Sequence, residues 1–194
     1  RGPKHRLSAC GPAGPRRADS DFYPATVMNF RLGGGGFASR LTQELREGKG
    51  YTYRIASGFD AGKTLGTFEL ESGVRANVTR EAAQLTRDIM KDNGTTFTAE
   101  DLEVTKSFLT KARARAFETA GAKLDYLANV GDYRLPLDYP KRQQAIVDAM
   151  TVKRVAELAS RYVRPQEMTY VIVGDAATQA ARLKDLKLGA PVMI

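Results

Sequence analysis

Apolar residues recur along this chain with two periods, and the switches between them mark its elements. A first helix is predicted over residues 22–32, with Pro24 tolerated in its first turn and Val27, Met28 and Phe30 available to a core. Gly33, Gly34, Gly35 and Gly36 end it, because glycine loses the most backbone freedom in a helix and accepts positive φ. From Phe37 a second helix is expected, with Phe37, Leu41 and Leu45 on one face at i, i+4 and i+8. Arg46 falls in its last turn, where a cation suits the helix dipole, and Gly50 supplies the exit. Residues 51–59 then read as a strand with Tyr51, Tyr53, Ile55 and Ser57 on one face. After the turn signal Asp60-Ala61-Gly62-Lys63, residues 65–74 return with Phe68, Leu70 and Ser72 alternating against Thr67, Glu69 and Glu71. An antiparallel hairpin follows from that alternation.

Helical spacing takes over downstream. Ala82, Leu85 and Ile89 mark one face of a helix that starts near Thr79 and ends before Asn93-Gly94. Thr98 with Asp101 makes an acidic variant of the capping box, and behind it Leu102, Leu109, Ala112 and Ala116 sustain a helical face. Residues 141–150 and 151–162 continue as helices, the latter through Val152, Val155, Leu158 and Ala159, and residues 168–173 form a last apolar strand closed by Gly174-Asp175. Helices clustered after a hairpin predict an α+β fold, a two-layer domain with a mainly antiparallel sheet and helices packed on one face. Residues 1–20, rich in Pro, Gly and Arg, are expected to be an irregular basic leader, with the folded domain over residues 21–194.

Composition narrows the chemistry. The formal charge is +8, but Arg1, Lys4, Arg6, Arg16 and Arg17 lie within residues 1–17 without an acid, leaving 25 basic against 22 acidic residues in the rest of the chain. A basic leader on a nearly balanced domain argues against a nucleic-acid face. Cys10 is alone, so no internal disulfide forms. No run approaches the ~18 apolar residues of a membrane span, and the leader lacks the apolar region of a signal peptide. The single histidine, His5, excludes Ser-His-Asp and Cys-His centres in the body and is expected to be a solvated side chain. Gly62-Lys63-Thr64 has Ser57 where a phosphate-binding loop needs its first glycine, and a strand pattern where it needs a helix.

The string Asn29-x-x-Leu32-Gly33-Gly34-Gly35-Gly36-Phe37-x-Ser39-Arg40-Leu41, followed by Leu45-Arg46-Glu47, Gly50 and Tyr53, resembles the signature of the non-zinc half of insulinase/pitrilysin-type zinc peptidases, which include the mitochondrial processing peptidases. The resemblance extends more loosely over residues 20–194, through Thr98-Ala99-Glu100-Asp101-Leu102, Pro136-Leu137-Asp138-Tyr139 and Tyr170-Val171-Ile172-Val173-Gly174-Asp175. It implies a processing-peptidase-like metallohydrolase fold. Such peptidases hold zinc through H-x-x-E-H, which one histidine cannot supply. No cofactor is therefore expected in this chain, and zinc is expected in a homologous half, either a separate subunit or another part of the same polypeptide. The glycine- and alanine-rich style resembles bacterial members, for which cytoplasm or periplasm is the expected compartment.

The resemblance further implies that Arg46 and Tyr53 are catalytic and substrate-binding, reaching from the non-zinc half to a peptide near the metal. An arginine fork can hold a carbonyl or carboxylate, and a tyrosine hydroxyl can donate to an oxygen that gains charge as water attacks. Residue spacing alone favours Arg46 as a helix-terminal cation and Tyr53 as an ordinary strand aromatic, and it is the resemblance that reverses this in favour of function. Pleat alternation also leaves Tyr51 as a rival; the family spacing selects Tyr53. The expected function is the substrate-binding half of a zinc metalloendopeptidase, inactive alone; the alternative is a non-catalytic scaffold of the same fold. A nucleic-acid module using the basic leader is a third, distant reading.

Overall fold

The computed structural model describes residues 4–115, 117–186, 188–189 and 192–193. It shows a four-stranded, fully antiparallel sheet of order β2-β3-β1-β4. The strands are β1 (Lys4–Gly14), β2 (Thr52–Ala61), β3 (Gly66–Arg75) and β4 (Thr169–Val173). The helices are α1 (Phe22–Asn29), α2 (Thr79–Thr96), α3 (Ala99–Arg115), α4 (Ala120–Tyr133), α5 (Tyr139–Ala149), α6 (Val152–Tyr162) and α7 (Ala176–Leu183). The core lies between one sheet face and the helices: Leu7, Ile55, Phe68, Leu70 and Val74 meet Val27, Met28, Leu41, Leu45, Met90 and Leu158. The expected two-layer α+β architecture is what the chain adopts.

The leader is where the sequence reading fails. Lys4–Gly14 is an interior strand, pairing with β3 on one side and β4 on the other. His5, Leu7 and Ala9 point inward and are buried, while Lys4, Arg6 and Cys10 face out. That is a period of two, hidden because its inward residues include a histidine and an alanine. Gly11 and Pro12 sit where the register shifts between Cys10 and Ala13, so the missing proline N–H falls at a bulge, where an interior strand tolerates it. His5 is not solvated. Its Nε2 accepts from the Asp175 amide at 3.3 Å and its Nδ1 lies 2.9 Å from Thr79 Oγ1, so the tautomer with hydrogen on Nδ1 satisfies both contacts. Arg1 lies outside the described residues.

Helix boundaries also move for identifiable reasons. Gly94 lies inside α2, and a Cβ there would stand 3.2 Å from the Ala159 Cβ of α6, so the glycine permits a close helix crossing and is not a cap. The buried stripe of α2 is Ala82, Ala83, Thr86, Met90 and Asn93, with Leu85 and Ile89 only partly buried at its margin. On α3 the buried face fades after Thr105 and Leu109; Ala112 is exposed, and Ala116 lies outside the described residues. Helices α4 and α7 lie outside the elements that periodicity predicts; α4 has no buried residue, so it lacks an apolar stripe to read. The hairpin, α5, α6 and β4 fall close to their predicted places. Asp21, ahead of α1, ties that helix to α6 by accepting from Arg154 at 2.5 Å, Arg161 at 2.6 Å and the Tyr162 hydroxyl at 2.9 Å.

Candidate functional site

The glycine run does not simply stop a helix. After α1 the chain continues as one wider, π-type turn over Phe30–Gly34, then a 3-10 turn over Gly36–Ala38. Gly33 lies against β2 so closely that an added Cβ would fall 2.2 Å from Ser57 Oγ and 2.7 Å from its amide nitrogen. Gly36 has φ of +56° and open space around it, so it serves the turn. One glycine makes contact possible; the other makes a reversal possible.

The loop is braced from the opposite side by Asp101. The predicted capping box forms, with the Asp101 amide donating to Thr98 Oγ1 at 3.1 Å and the Thr98 amide donating to Asp101 Oδ2 at 3.0 Å. The same carboxylate receives Arg31 Nε at 2.9 Å and Arg40 Nη2 at 2.5 Å, while Arg31 also donates to the Ala38 carbonyl. Burial pushes the Asp101 carboxyl up, but the Thr98 amide, Arg31 and Arg40 outweigh it and hold the group below the ordinary carboxylate range. Two arginines within the family-like signature are therefore structural clamps.

Beyond the loop, the helix expected from Phe37 begins later. Ser39 is extended, with φ of −86° and ψ of 145°, and separates Phe37 from the π-type helical segment Thr42–Gly48. Leu41 and Leu45 are buried as expected, but Phe37 is 66% exposed. The ring is set free to lie elsewhere.

Tyr53 is turned outward by a bulge. Thr52 pairs with Val74 and Arg54 with Gly73, so Tyr53 is the extra residue and the alternation of β2 is reset between Thr52 and Ile55. Thr52 Oγ1 fills the gap, accepting the Arg54 amide at 3.1 Å and donating to the Gly73 carbonyl at 2.7 Å. Tyr53 consequently stands 79% exposed on an edge strand and does not share the face of Ile55 and Ser57, contrary to the simple pleat expectation. Tyr51 packs against the core, which separates it from Tyr53.

Arg46 joins these displaced residues. Its guanidinium carbon lies 4.5 Å from the Phe37 ring centroid and 5.0 Å from that of Tyr53. Its Nε also lies 3.3 Å from Glu47 Oε1. The structure thus brings the two expected site residues together and adds Phe37, which periodicity had placed in the core. An arginine held between aromatic faces keeps its fork in a fixed plane, and each such contact is worth ~0.5–1 kcal/mol at exposed positions. Zinc does not fit this chain: no cluster of three or more His, Cys, Asp or Glu that could hold a metal occurs among the described residues, and both His5 nitrogens are engaged. Among the described residues, no helix is long and apolar enough to cross a membrane.

Similarity to known proteins agrees with this fold. The family model described as peptidase M16 inactive domain matches residues 1–109, including β1. A protein named non-peptidase homolog YmxG, from Helicobacter pylori, is 26% identical over 160 residues, which are 80% of this chain and 36% of that protein. The crystal structure of a peptidase M16 inactive domain from Pseudomonas fluorescens matches with a TM-score of 0.79 at 26% identity, covering 88% of this chain and 41% of that one. A chain of complex III2 from Candida albicans shares the fold, with a TM-score of 0.75 at 12% identity over 94% of this chain and 46% of its own. This chain spans less than half the length of each of these relatives. With the match running over 109 of 194 residues, the chain belongs to the peptidase M16 inactive-domain family.

Proposed function

We propose that this chain is the non-zinc, substrate-binding half of a zinc metalloendopeptidase, and that Arg46 and Tyr53 contact the peptide in a site completed by a zinc-bearing homologous half. The observation that carries this reading is the half-buried Arg46 guanidinium lying against the exposed rings of both Phe37 and Tyr53 at the edge of the sheet. An exposed phenol and a half-buried charged fork are held together there at the surface, where a core would gain nothing from them. Arg46 would take a peptide carbonyl or carboxylate, and the Tyr53 hydroxyl would donate to the oxygen that becomes negative during water attack. The water itself would be activated in the other half.

The test mixes this chain with a zinc-bearing homologous half and follows cleavage of a quenched fluorescent peptide. Activity should require both halves and fall by about a hundredfold in Tyr53→Phe, as for the loss of one oxyanion donor. Unchanged activity in that variant removes Tyr53 from the mechanism, and cleavage by this chain alone overturns the reading. A second reading, a non-catalytic scaffold, draws on the name of the H. pylori relative and on the fold shared with a complex III2 chain. A stable complex of the two halves that cleaves no peptide would favour it.

A further inference from the structure

On the side of the helical layer formed by α3, α4 and α5, a cavity of about 320 Å³ opens between those helices and the segment after β1. Arg17, Arg113, Tyr23, Phe117, Tyr126 and Asn129 contribute to its wall. Its volume suits a small ligand. The unusual feature is its charge. Among the described residues, neither Arg17 nor Arg113 has a carboxylate partner, and the lining includes no acid. Several other buried or half-buried arginines do find acids: Arg31 and Arg40 share Asp101, and Arg154 meets Asp21.

Both guanidinium groups are nonetheless held in place. Arg17 lies 4.6 Å over the Phe22 ring and 5.7 Å from that of Tyr133, and its Nη2 donates to Asn129 Oδ1 at 3.2 Å. Its Nε is shut away from solvent without an acceptor among the described residues. Arg113 donates to the Pro140 carbonyl and, at 3.0 Å, to the Tyr23 hydroxyl. Burial lifts the Tyr23 phenol above its ordinary value against the pull of Arg113, so its hydroxyl keeps a proton to donate. Each guanidinium has five N–H groups, and these contacts leave donors over on both. Phe117 and Tyr126 meet edge to face at 5.3 Å and provide an aromatic wall in the same cavity.

We propose that this cavity binds a carboxylate carried on an aromatic-sized apolar group, with Arg17, Arg113 and Tyr23 as donors and Phe117 and Tyr126 as the apolar wall. Two guanidinium forks without acids supply the anion's partners, and planar bidentate pairing is the geometry arginine offers a carboxylate. A free small aromatic acid and the C-terminal residue of a peptide present the same chemistry. The site is separate from the Arg46 and Tyr53 stack and does not depend on how that stack works.

The test titrates the chain calorimetrically with N-acetyl-L-phenylalanine and with its amide, which keeps the ring and removes the charge. The acid should bind at least about tenfold more tightly than the amide, and Arg17→Gln and Arg113→Gln should each weaken it by about tenfold, as expected for a lost charge-assisted bond. A peptide ending in a free phenylalanine carboxylate, compared with its amidated form, distinguishes the sources: binding of the free-ended peptide assigns chain ends, and binding of the amino-acid derivative alone assigns small acids. Equal binding of acid and amide, or no binding of either at millimolar concentration, overturns the proposal. Because that comparison uses the unaltered chain, it decides the matter even where a variant fails to fold; folded variants that keep full affinity also overturn it.

Discussion

The side chain of Asn29 and residue Ser57 exchange two hydrogen bonds: Asn29 Nδ2 donates to the Ser57 carbonyl at 2.8 Å, and Ser57 Oγ donates to Asn29 Oδ1 at 2.6 Å. Both residues are buried, and the pair fastens the end of α1 to the strand that carries Tyr53. Replacing Asn29 by Ala leaves a buried carbonyl and hydroxyl without partners. The expected cost is about 1–3 kcal/mol, read by urea denaturation. A cost under a few tenths of a kcal/mol would show that the clamp contributes little.

The glycine run should respond unevenly to substitution. Gly33→Ala drives a methyl group into Ser57 backbone and hydroxyl atoms and is expected to destabilise by about 1–3 kcal/mol or more. Gly36→Ala meets open space and carries only the strain of positive φ, about 1–2 kcal/mol. A hinge would make both sites sensitive through flexibility. Thermal melts that rank Gly33→Ala as the worse variant support a packed element instead.

Asp101 should give the protein part of its acid sensitivity. Its folded carboxyl titrates below the ordinary value, so its contribution is complete above about pH 4 and is lost as pH falls through the lower folded value. Asp101→Asn should cost about 3 kcal/mol at neutral pH, since it leaves Arg31 and Arg40 without their shared charge. The gap between wild type and variant should shrink below pH ~4 in denaturation curves. A pH-independent gap would remove the ion pairs as its cause.

Tyr170 acts at the other end of the scale. Burial pushes its phenol up to about 12, and its hydroxyl donates to the Pro165 carbonyl at 3.0 Å. The folded state therefore holds this proton more tightly than the unfolded chain. That stabilisation is complete below pH ~10 and is lost as pH rises through about 12. Tyr170→Phe should flatten the alkaline fall in melting temperature over that window, and an unchanged slope would assign the fall to other groups.

Phe37 offers a separate test of the surface stack. At 66% exposed, its replacement by Ala should change stability by no more than about 1 kcal/mol, the worth of its contact with Arg46. It also removes one face of the Arg46 stack. In the two-half assay the variant should lose activity while its melting temperature holds; a loss of both would make Phe37 a packing residue.

Much of the layer architecture was legible because it follows from local rules. The alternation of Phe68, Leu70 and Ser72 against Glu69 and Glu71 placed the hairpin, the Thr98–Asp101 spacing placed the start of α3, and Val155, Leu158 and Ala159 placed α6. Periods of two and of three to four residues are properties of strand and helix backbones, so they can be read without knowing what packs against them. The single histidine likewise leaves no H-x-x-E-H centre in this sequence.

Long-range pairing settled the remainder. Lys4–Gly14 becomes a strand because β3 and β4 flank it and His5 finds Thr79 and the Asp175 amide, partners 74 and 170 residues away. Tyr53 leaves the expected face because one residue too many lies between Thr52 and Arg54 opposite Val74 and Gly73, a count that belongs to two strands together. Phe37 joins Arg46 because Ser39 breaks the helix before Leu41. A side chain's chemistry is carried by its residue type, but its direction and neighbours depend on contacts between distant segments, which no local period encodes.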